Sequence, residues 1–193
     1  MKRTRPVRLF GLLLVLLVLA HPACGFEASD IVPATGIIEY AFTPGDDAAG
    51  LIVRAIDGAR SQILVQAFSF THAGIAGALI RAERRGVDVQ VIADPGQIDL
   101  IEHNVIPRLV DAGVAVFADA EHAAAHNKVM VIDAGAKAPV LITGSFNFTH
   151  AAQFRNAENL LVFRGNHELT RAFLENWTRH FKHSTPFRRG NGK

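Results

Sequence analysis

Apolar residues along the chain follow two spacings, one typical of helices and one typical of buried strands. In chain order, the predicted elements of the first half are the helix "DDAAGLIVRAIDGARS", the strand "QILVQAFSF", the helix "AGIAGALIRAERRG", the strand "VDVQVIAD", a helix around "DLIEHNVIPRLVDAG" that is interrupted or restarted at Pro107, and the short strand "VAVFA". Helices that alternate with strands connect them by right-handed crossovers. This order predicts an α/β domain with a mixed, largely parallel sheet flanked by helices.

The pattern changes in the second half of the chain. "KVMVID" and "VLITG" alternate like the two strands of a hairpin, and "NAENLLVFRG" predicts one more strand. The last segment, "HELTRAFLENWTRHFKH", has helical spacing, and its apolar residues are expected to face the core: Leu169, Phe173, Leu174, Trp177 and Phe181.

Residues 1–25 are predicted to be a secretory signal rather than part of the domain. A basic start precedes an apolar run over residues 9–20, which is too short to span a bilayer. Cleavage after Gly25 would leave the small residues Ala23 and Gly25 at the positions that a signal peptidase inspects. The alternative is lipidation at Cys24, although the residues before it fit that motif poorly. Both readings predict export across the inner membrane to the periplasm.

The formal net charge of +2 depends on the signal, which holds four of the twenty Lys and Arg residues and no acidic residue. Sixteen basic residues then face eighteen acidic ones, so the mature net charge is about −2. Any contact with nucleic acid must therefore come from local patches, such as "RAERR" or the C-terminal tail. We predict one domain over residues 26–185 and a disordered basic tail over residues 186–193. The single cysteine lies in the signal, so disulfides are not expected.

The predicted hairpin and the strand after it carry many polar residues at strand ends: His126, Lys128, Asp133, Ser145, Asn147 and Glu158. Residues two positions apart on a strand project from the same face. His126 and Lys128 should therefore point together, and Ser145 and Asn147 likewise. A histidine, a fixed positive charge, a hydroxyl and an amide suit an anionic tetrahedral centre such as a phosphodiester.

These residues stand in a recognisable pattern. "HNKVMVID" has the His-x-Lys-x-x-x-x-Asp motif of the phospholipase D superfamily, and "GSFN" resembles its Gly-Ser-x-Asn companion. With the Glu of "NAEN", the resemblance extends over residues 36–181 and is closest to small secreted endonucleases that carry the motif once, the Nuc type. It implies a phospholipase D-like fold and phosphodiester hydrolysis without a metal or other cofactor. The expected substrate is DNA, with RNA as a second possibility.

The resemblance also implies a role for each residue. His126 would attack phosphorus and form a phosphohistidine, while a second His126 protonates the leaving oxygen. Because the chain carries the motif once, this implies a homodimer with its active site at the interface.

The other residues of the pattern would support this histidine. Lys128, Ser145 and Asn147 would hold the non-bridging oxygens of the phosphate. Glu158 would accept a hydrogen bond from the far ring nitrogen of the histidine. Asp133 belongs to the catalytic motif, but it lies an odd number of positions from His126 and is expected to orient or support rather than react.

Two other functions remain open at this point: a lipid phosphodiesterase that uses the same site, and a catalytically idle nucleic-acid-binding protein on the same fold. The sequence assigns no metal ligand. Five histidines are expected to be ordinary surface residues: His72, His103, His122, His150 and His167. Four phenylalanines are expected to lie in the core or a pocket wall: Phe68, Phe70, Phe146 and Phe148.

Overall fold

The computed structural model describes residues 29–100 and 103–188, and the predicted signal lies outside the described residues. The strands are β1 (Ile37–Thr43), β2 (Gln62–Ala67), β3 (Asp88–Ala93), β4 (Ala115–Ala118), β5 (Lys128–Ile132), β6 (Val140–Gly144), β7 (Glu158–Arg164) and β8 (Thr185–Pro186). The helices are α1 (Ala48–Asp57), α2 (Ala73–Arg84), α3 (Pro95–Leu100), α4 (Ile106–Asp111), α5 (His150–Phe154) and α6 (His167–His183).

The described strands form one sheet in the order β1-β7-β6-β5-β2-β3-β4-β8. The prediction of a mixed α/β sheet flanked by helices is confirmed, but the share of parallel pairing is smaller than expected. Only β2 with β3 and β3 with β4 run parallel, and the sheet is mostly antiparallel. The reason is that no helix carries the chain back across the sheet between β4 and β5, so β5 returns antiparallel beside β2.

The elements predicted from spacing are present, although the helix expected around residues 99–113 corresponds to two helices, α3 from Pro95 and α4 from Ile106. Three short or edge elements were not predicted: β1, α5 and β8. The outward face of β1 exposes the large apolar side chains of Ile38, Tyr40 and Phe42. An edge strand is recognised in a sequence by the alternation of apolar and polar residues. Because β1 has apolar residues on both faces, this alternation is absent. The five residues of α5 and the two of β8 are too short to show a period.

Helices cover both faces of the sheet. The larger core lies between the sheet and α1, α2 and α4, while α6 packs on the opposite face. There Trp177 is buried and its indole nitrogen donates to the carbonyl oxygen of Val65 at 3.1 Å. The residues of α6 predicted to face the core all do so: Leu169, Phe173, Leu174, Trp177 and Phe181.

The domain continues beyond the boundary predicted at residue 185. Pro186 pairs with Phe117, and the backbone N–H of Phe187 donates to Val116 at 2.8 Å. The first residues of the predicted basic tail therefore complete the sheet, and residues 189–193 lie outside the described part. Among the described residues, no helix combines the length and the apolar character that crossing a bilayer requires.

Candidate active site

Polar residues collect at one edge of the sheet because strand ends meet there. Ala67, the last residue of β2, pairs with Lys128, the first residue of β5. At the other side of the hairpin, Thr43 at the end of β1 pairs with Glu158 at the start of β7. Ser145 follows the end of β6 between them. The edge thus gathers the residues that the sequence singled out, except Asp133.

His126 and Lys128 meet on the ring of Phe68, as their spacing predicted. The exposed imidazole of His126 packs on this ring with centroids 4.4 Å apart, and the ammonium of Lys128 lies 4.9 Å from its centroid. Lys128 Nζ also donates to the carbonyl oxygen of His126 at 2.7 Å. Phe68 therefore forms a wall of the site. The sequence predicts it either in the core or in a pocket wall.

Lys128 is largely buried, with only 8% of the residue exposed. Burial lowers the pKa of Lys128 below its usual range, and the nearby Glu158 carboxylate offsets this only in part. Within the described part of the chain, its hydrogen-bond acceptor is the neutral carbonyl oxygen of His126. A buried cation with so few acceptors is favoured by an anion placed beside it.

Glu158 is held by neighbours on its own side of the site. One carboxylate oxygen accepts from the hydroxyl of Ser145 at 2.6 Å, and the other accepts from the amide of Asn156 at 3.0 Å. The Ser145 hydroxyl in turn accepts from the N–H of Asn159 at 3.0 Å. Among the described residues, no hydrogen bond joins Glu158 to the His126 ring, so the expected pairing is not made within this chain.

The turn after β6 separates Ser145 from Asn147 by the buried Phe146. It begins at Gly144, whose φ of 146° lies in a region that other residues rarely adopt. A Cβ at this position would lie 2.4 Å from the carbonyl oxygen of Asn159, so the close approach of β6 to β7 requires glycine. The side-chain oxygen of Asn147 is buried and has no hydrogen-bond partner within the described chain. Such unsatisfied groups recur at functional sites.

Asp133 is not brought to this edge, because it follows the opposite end of β5. Its carboxylate accepts from the backbone N–H groups of Arg60, Ser61 and Gln62 and from the Ser61 hydroxyl, at 2.7–2.9 Å. Burial alone would raise the pKa of Asp133, but these donors outweigh it and hold the pKa below its usual value. The motif aspartate thus fixes the start of β2 to the end of β5 and does not reach the reacting groups.

Asp94 is a site residue that the sequence reading missed. It follows β3, and its carboxylate accepts from the buried N–H of Ala125 at 2.9 Å and from Gln97 at 3.0 Å. This anchors the loop directly before His126. A carboxylate at the carboxyl end of a buried parallel strand is a position where α/β proteins place functional groups, and "VIAD" carried that signal.

Of the histidines expected at the surface, His72 differs. It caps α2, and its Nδ1 accepts from the N–H of Ile75 at 3.3 Å. Burial and, to a smaller extent, the nearby His150 lower the pKa of His72. His72 therefore has a structural role as a capping group.

Residues 52–184 match the family model described as "Cardiolipin synthase, PLD-like domain". The chain belongs to the phospholipase D superfamily. This membership gives the chain the activity of a phosphodiesterase, the hydrolysis of phosphodiesters. The strand edge with His126, Lys128 and the Gly-Ser-x-Asn turn is accordingly its candidate active site.

Relatives of the superfamily carry several names. The chain is 37% identical over 140 residues to the "Phospholipase D" of Rickettsia felis, covering 72% of this chain and 67% of that one. It is 32% identical to the human "Mitochondrial cardiolipin hydrolase", covering 74% of this chain and about half, 54%, of that protein.

Two solved structures resemble the fold along their entire length. The phospholipase D family member Nuc from Salmonella typhimurium matches with a TM-score of 0.74 at 30% identity, covering 80% of this chain and 100% of Nuc. NucT from Helicobacter pylori matches with a TM-score of 0.71 at 23% identity, covering 79% of this chain and 100% of NucT.

Replacing the motif aspartate should affect stability rather than turnover. We expect Asp133→Asn to lower the free energy of unfolding by about 2–4 kcal/mol, because the buried carboxylate accepts four hydrogen bonds. Since folding lowers the pKa of Asp133, its contribution is present above the unfolded pKa of about 3.9 and is lost as the pH falls through the folded value. Urea unfolding at several pH values measures the difference. A large loss of turnover at unchanged stability would contradict this role.

Replacing the anchor of the His126 loop should affect turnover. We expect Asp94→Ala to lower kcat for phosphodiester hydrolysis by roughly tenfold to a hundredfold, because small displacements of a reacting group are costly. Asp88→Ala removes an exposed carboxylate at the start of the same strand and is the matched control. Steady-state kinetics below the melting temperature of each variant measures both. Equal kcat values for the two variants would show that Asp94 does not position His126.

Proposed function

We propose that this protein is a metal-independent endonuclease that cleaves DNA through a phosphohistidine, with RNA as a second candidate substrate. The observation that carries the proposal is the largely buried Lys128, whose ammonium lies with the exposed His126 imidazole on the ring of Phe68. The His126 nucleophile is accessible to a large substrate. The positive charge of Lys128 beside it is only partly compensated, which favours a phosphate at this place. The match to Nuc over the whole of that chain supports a nucleic-acid substrate.

In the proposed first step, an unprotonated ring nitrogen of His126 attacks phosphorus. The N–P bond forms as the bond from phosphorus to the leaving oxygen breaks, and a second, protonated His126 gives that oxygen its proton. In the second step, the same partner histidine removes a proton from water as the water attacks phosphorus. The N–P bond breaks and both histidines return to their starting states.

Three side chains would stabilise the charge that develops on the phosphate. Lys128 supplies the cation, and the Nδ2 group of the Asn147 amide would donate to a non-bridging oxygen of the phosphate. The Ser145 hydroxyl, on the same turn, donates to Glu158 in this structure and would turn its hydrogen to the phosphate when substrate binds. Glu158 accepts one hydrogen bond on each oxygen, and a carboxylate has further lone pairs with which to orient the histidine.

The mechanism needs two copies of His126, and the chain carries the motif once. We therefore propose a homodimer whose two chains build one site across a two-fold axis. An apolar surface borders this site: Ile38, Tyr40 and Phe42 are exposed on β1, and Phe42 pairs with Asn159 beside Glu158. Burial of such side chains favours association with a second chain.

A lipid phosphodiesterase is the second candidate, and the names of two groups of relatives favour it. The site chemistry is the same, since both substrates present a phosphodiester. A purely binding protein is disfavoured because the reactive residues are complete and gathered at one edge. The basic segment "RAERR" gives no separate support for DNA contact, since Arg81 and Arg85 lie against Asp57.

A panel of substrates in chelator tests the proposed function. The protein without residues 1–25 is incubated with plasmid DNA, RNA and phospholipid vesicles, with His126→Ala as the inactive control and His150→Ala as a matched histidine control. We expect DNA cleavage by the wild type and His150→Ala and almost none by His126→Ala. Turnover of phospholipid alone would support the second candidate, and DNA cleavage that requires added magnesium would contradict the mechanism.

Subunit mixing tests the shared site. When wild-type and His126→Ala chains are mixed in equal amounts and exchange fully, only wild-type pairs contain both histidines, and these are about a quarter of random dimers. Activity per total protein should therefore fall to about a quarter. A fall to about half, once exchange is confirmed by a mass or fluorescence label, would show that each chain works alone.

A further inference from the structure

A second group of polar side chains lies away from the His126 edge, where the C-terminal end of α6 meets the loop after β4. Asp119, His122, His180 and His183 each offer one ligand atom, and these four atoms lie within 4.8 Å of one another. The histidine rings pack edge to face or tilted, with centroids 5.2–5.5 Å apart. Three imidazoles and one carboxylate around one point are the donors of a four-coordinate zinc site.

The cluster is centred on the carboxylate of Asp119, which is fully buried. One oxygen lies 2.7 Å from Nδ1 of His180, and the other lies 3.1 Å from Nδ1 of His183. The Nδ1 atom of His183 is shielded from solvent and, among residues 29–100 and 103–188, has no hydrogen-bond partner. A buried carboxylate beside a buried nitrogen without a partner is better satisfied by a cation that binds both.

The position in the fold also favours a cation. His180 and His183 belong to the last turn of α6, and the backbone carbonyls at the end of a helix carry a partial negative charge. The pair is spaced three residues apart, so both rings lie on one side of the helix. His122 is exposed and so has room to move towards the others.

We propose that Asp119, His122, His180 and His183 bind one zinc ion per chain. Bonds of about 2.0–2.1 Å in a tetrahedron place ligand atoms about 3.3 Å apart, so the widest pair would close by roughly 1.5 Å. The site was missed in the sequence because His122 was read as a surface residue. The signal was present as two three-residue spacings, "DAEH" and "HFKH".

The ion would join the end of α6 to the loop between β4 and β5. This loop holds His122 and, four residues later, His126. Zinc would therefore fix the segment that enters the candidate active site without taking part in the reaction. No step of the proposed hydrolysis uses the zinc ion. The zinc site and the proposed function can therefore be tested, and can fail, independently of each other.

Zinc binding to metal-stripped protein free of any histidine tag tests the site. Calorimetric titration and thermal unfolding are measured for the wild type, His122→Ala, His183→Gln and the exposed control His103→Ala, with circular dichroism to check folding. We expect one ion per chain and a higher melting temperature with zinc for the wild type and the control. His122→Ala and His183→Gln should bind at least about tenfold more weakly. Cobalt should give the strong visible absorption of a tetrahedral centre only in the wild type and the control.

His122→Ala decides between zinc and a simple hydrogen-bonded cluster. The contacts of His122 within the cluster are ring contacts, so its removal leaves the bond between Asp119 and His180 in place. Unchanged zinc affinity in His122→Ala would overturn the proposal. So would a wild type that, at about 100 μM zinc, shows neither bound zinc nor a higher melting temperature, since a ligand of the folded state raises its stability.

Discussion

The candidate active site depends on the register of β5 between β2 and β6. All five residues of β5 are buried, and pairing of Ala67 with Lys128 sets the lysine against Phe68 and the His126 carbonyl. A slip of one residue would turn each side chain of β5 to the opposite face. Asp133 holds this register at the far end by accepting from three consecutive backbone N–H groups before and at the start of β2. The motif lysine, at the start of β5, and the motif aspartate, directly after its end, therefore both depend on the same register of this strand.

The sequence predicted the helices and strands well where a buried face imposes a period. The extent of α6 and its core residues agree with the prediction, because one side of that helix packs on the sheet and the other is polar. The edge strand β1 was missed because its outer face is apolar too. The antiparallel direction of β5 was also not evident from the sequence. The spacing of apolar residues indicates which face of a strand is buried, but not which strand it pairs with.

The site itself was predicted only as a set of residues. Spacing of two positions brought His126 and Lys128 together, and this agrees with their shared contact on Phe68. Asp94 and the cluster around Asp119 could not be placed, because their partners are far along the chain: Asp94 binds Ala125, and Asp119 meets His180 and His183. Contacts of this kind depend on which strands are neighbours, which the sequence pattern did not settle.

The central claim is that His126 becomes covalently bonded to phosphorus, and trapping tests it directly. The protein is mixed with an oligonucleotide that carries a radiolabelled phosphodiester and is quenched within one turnover in denaturing base, where phosphohistidine survives. The account predicts label on the wild-type protein, mapped by peptide sequencing to His126, and none on His126→Ala. Label on another residue, or full cleavage in the wild type without any labelled protein, would contradict it.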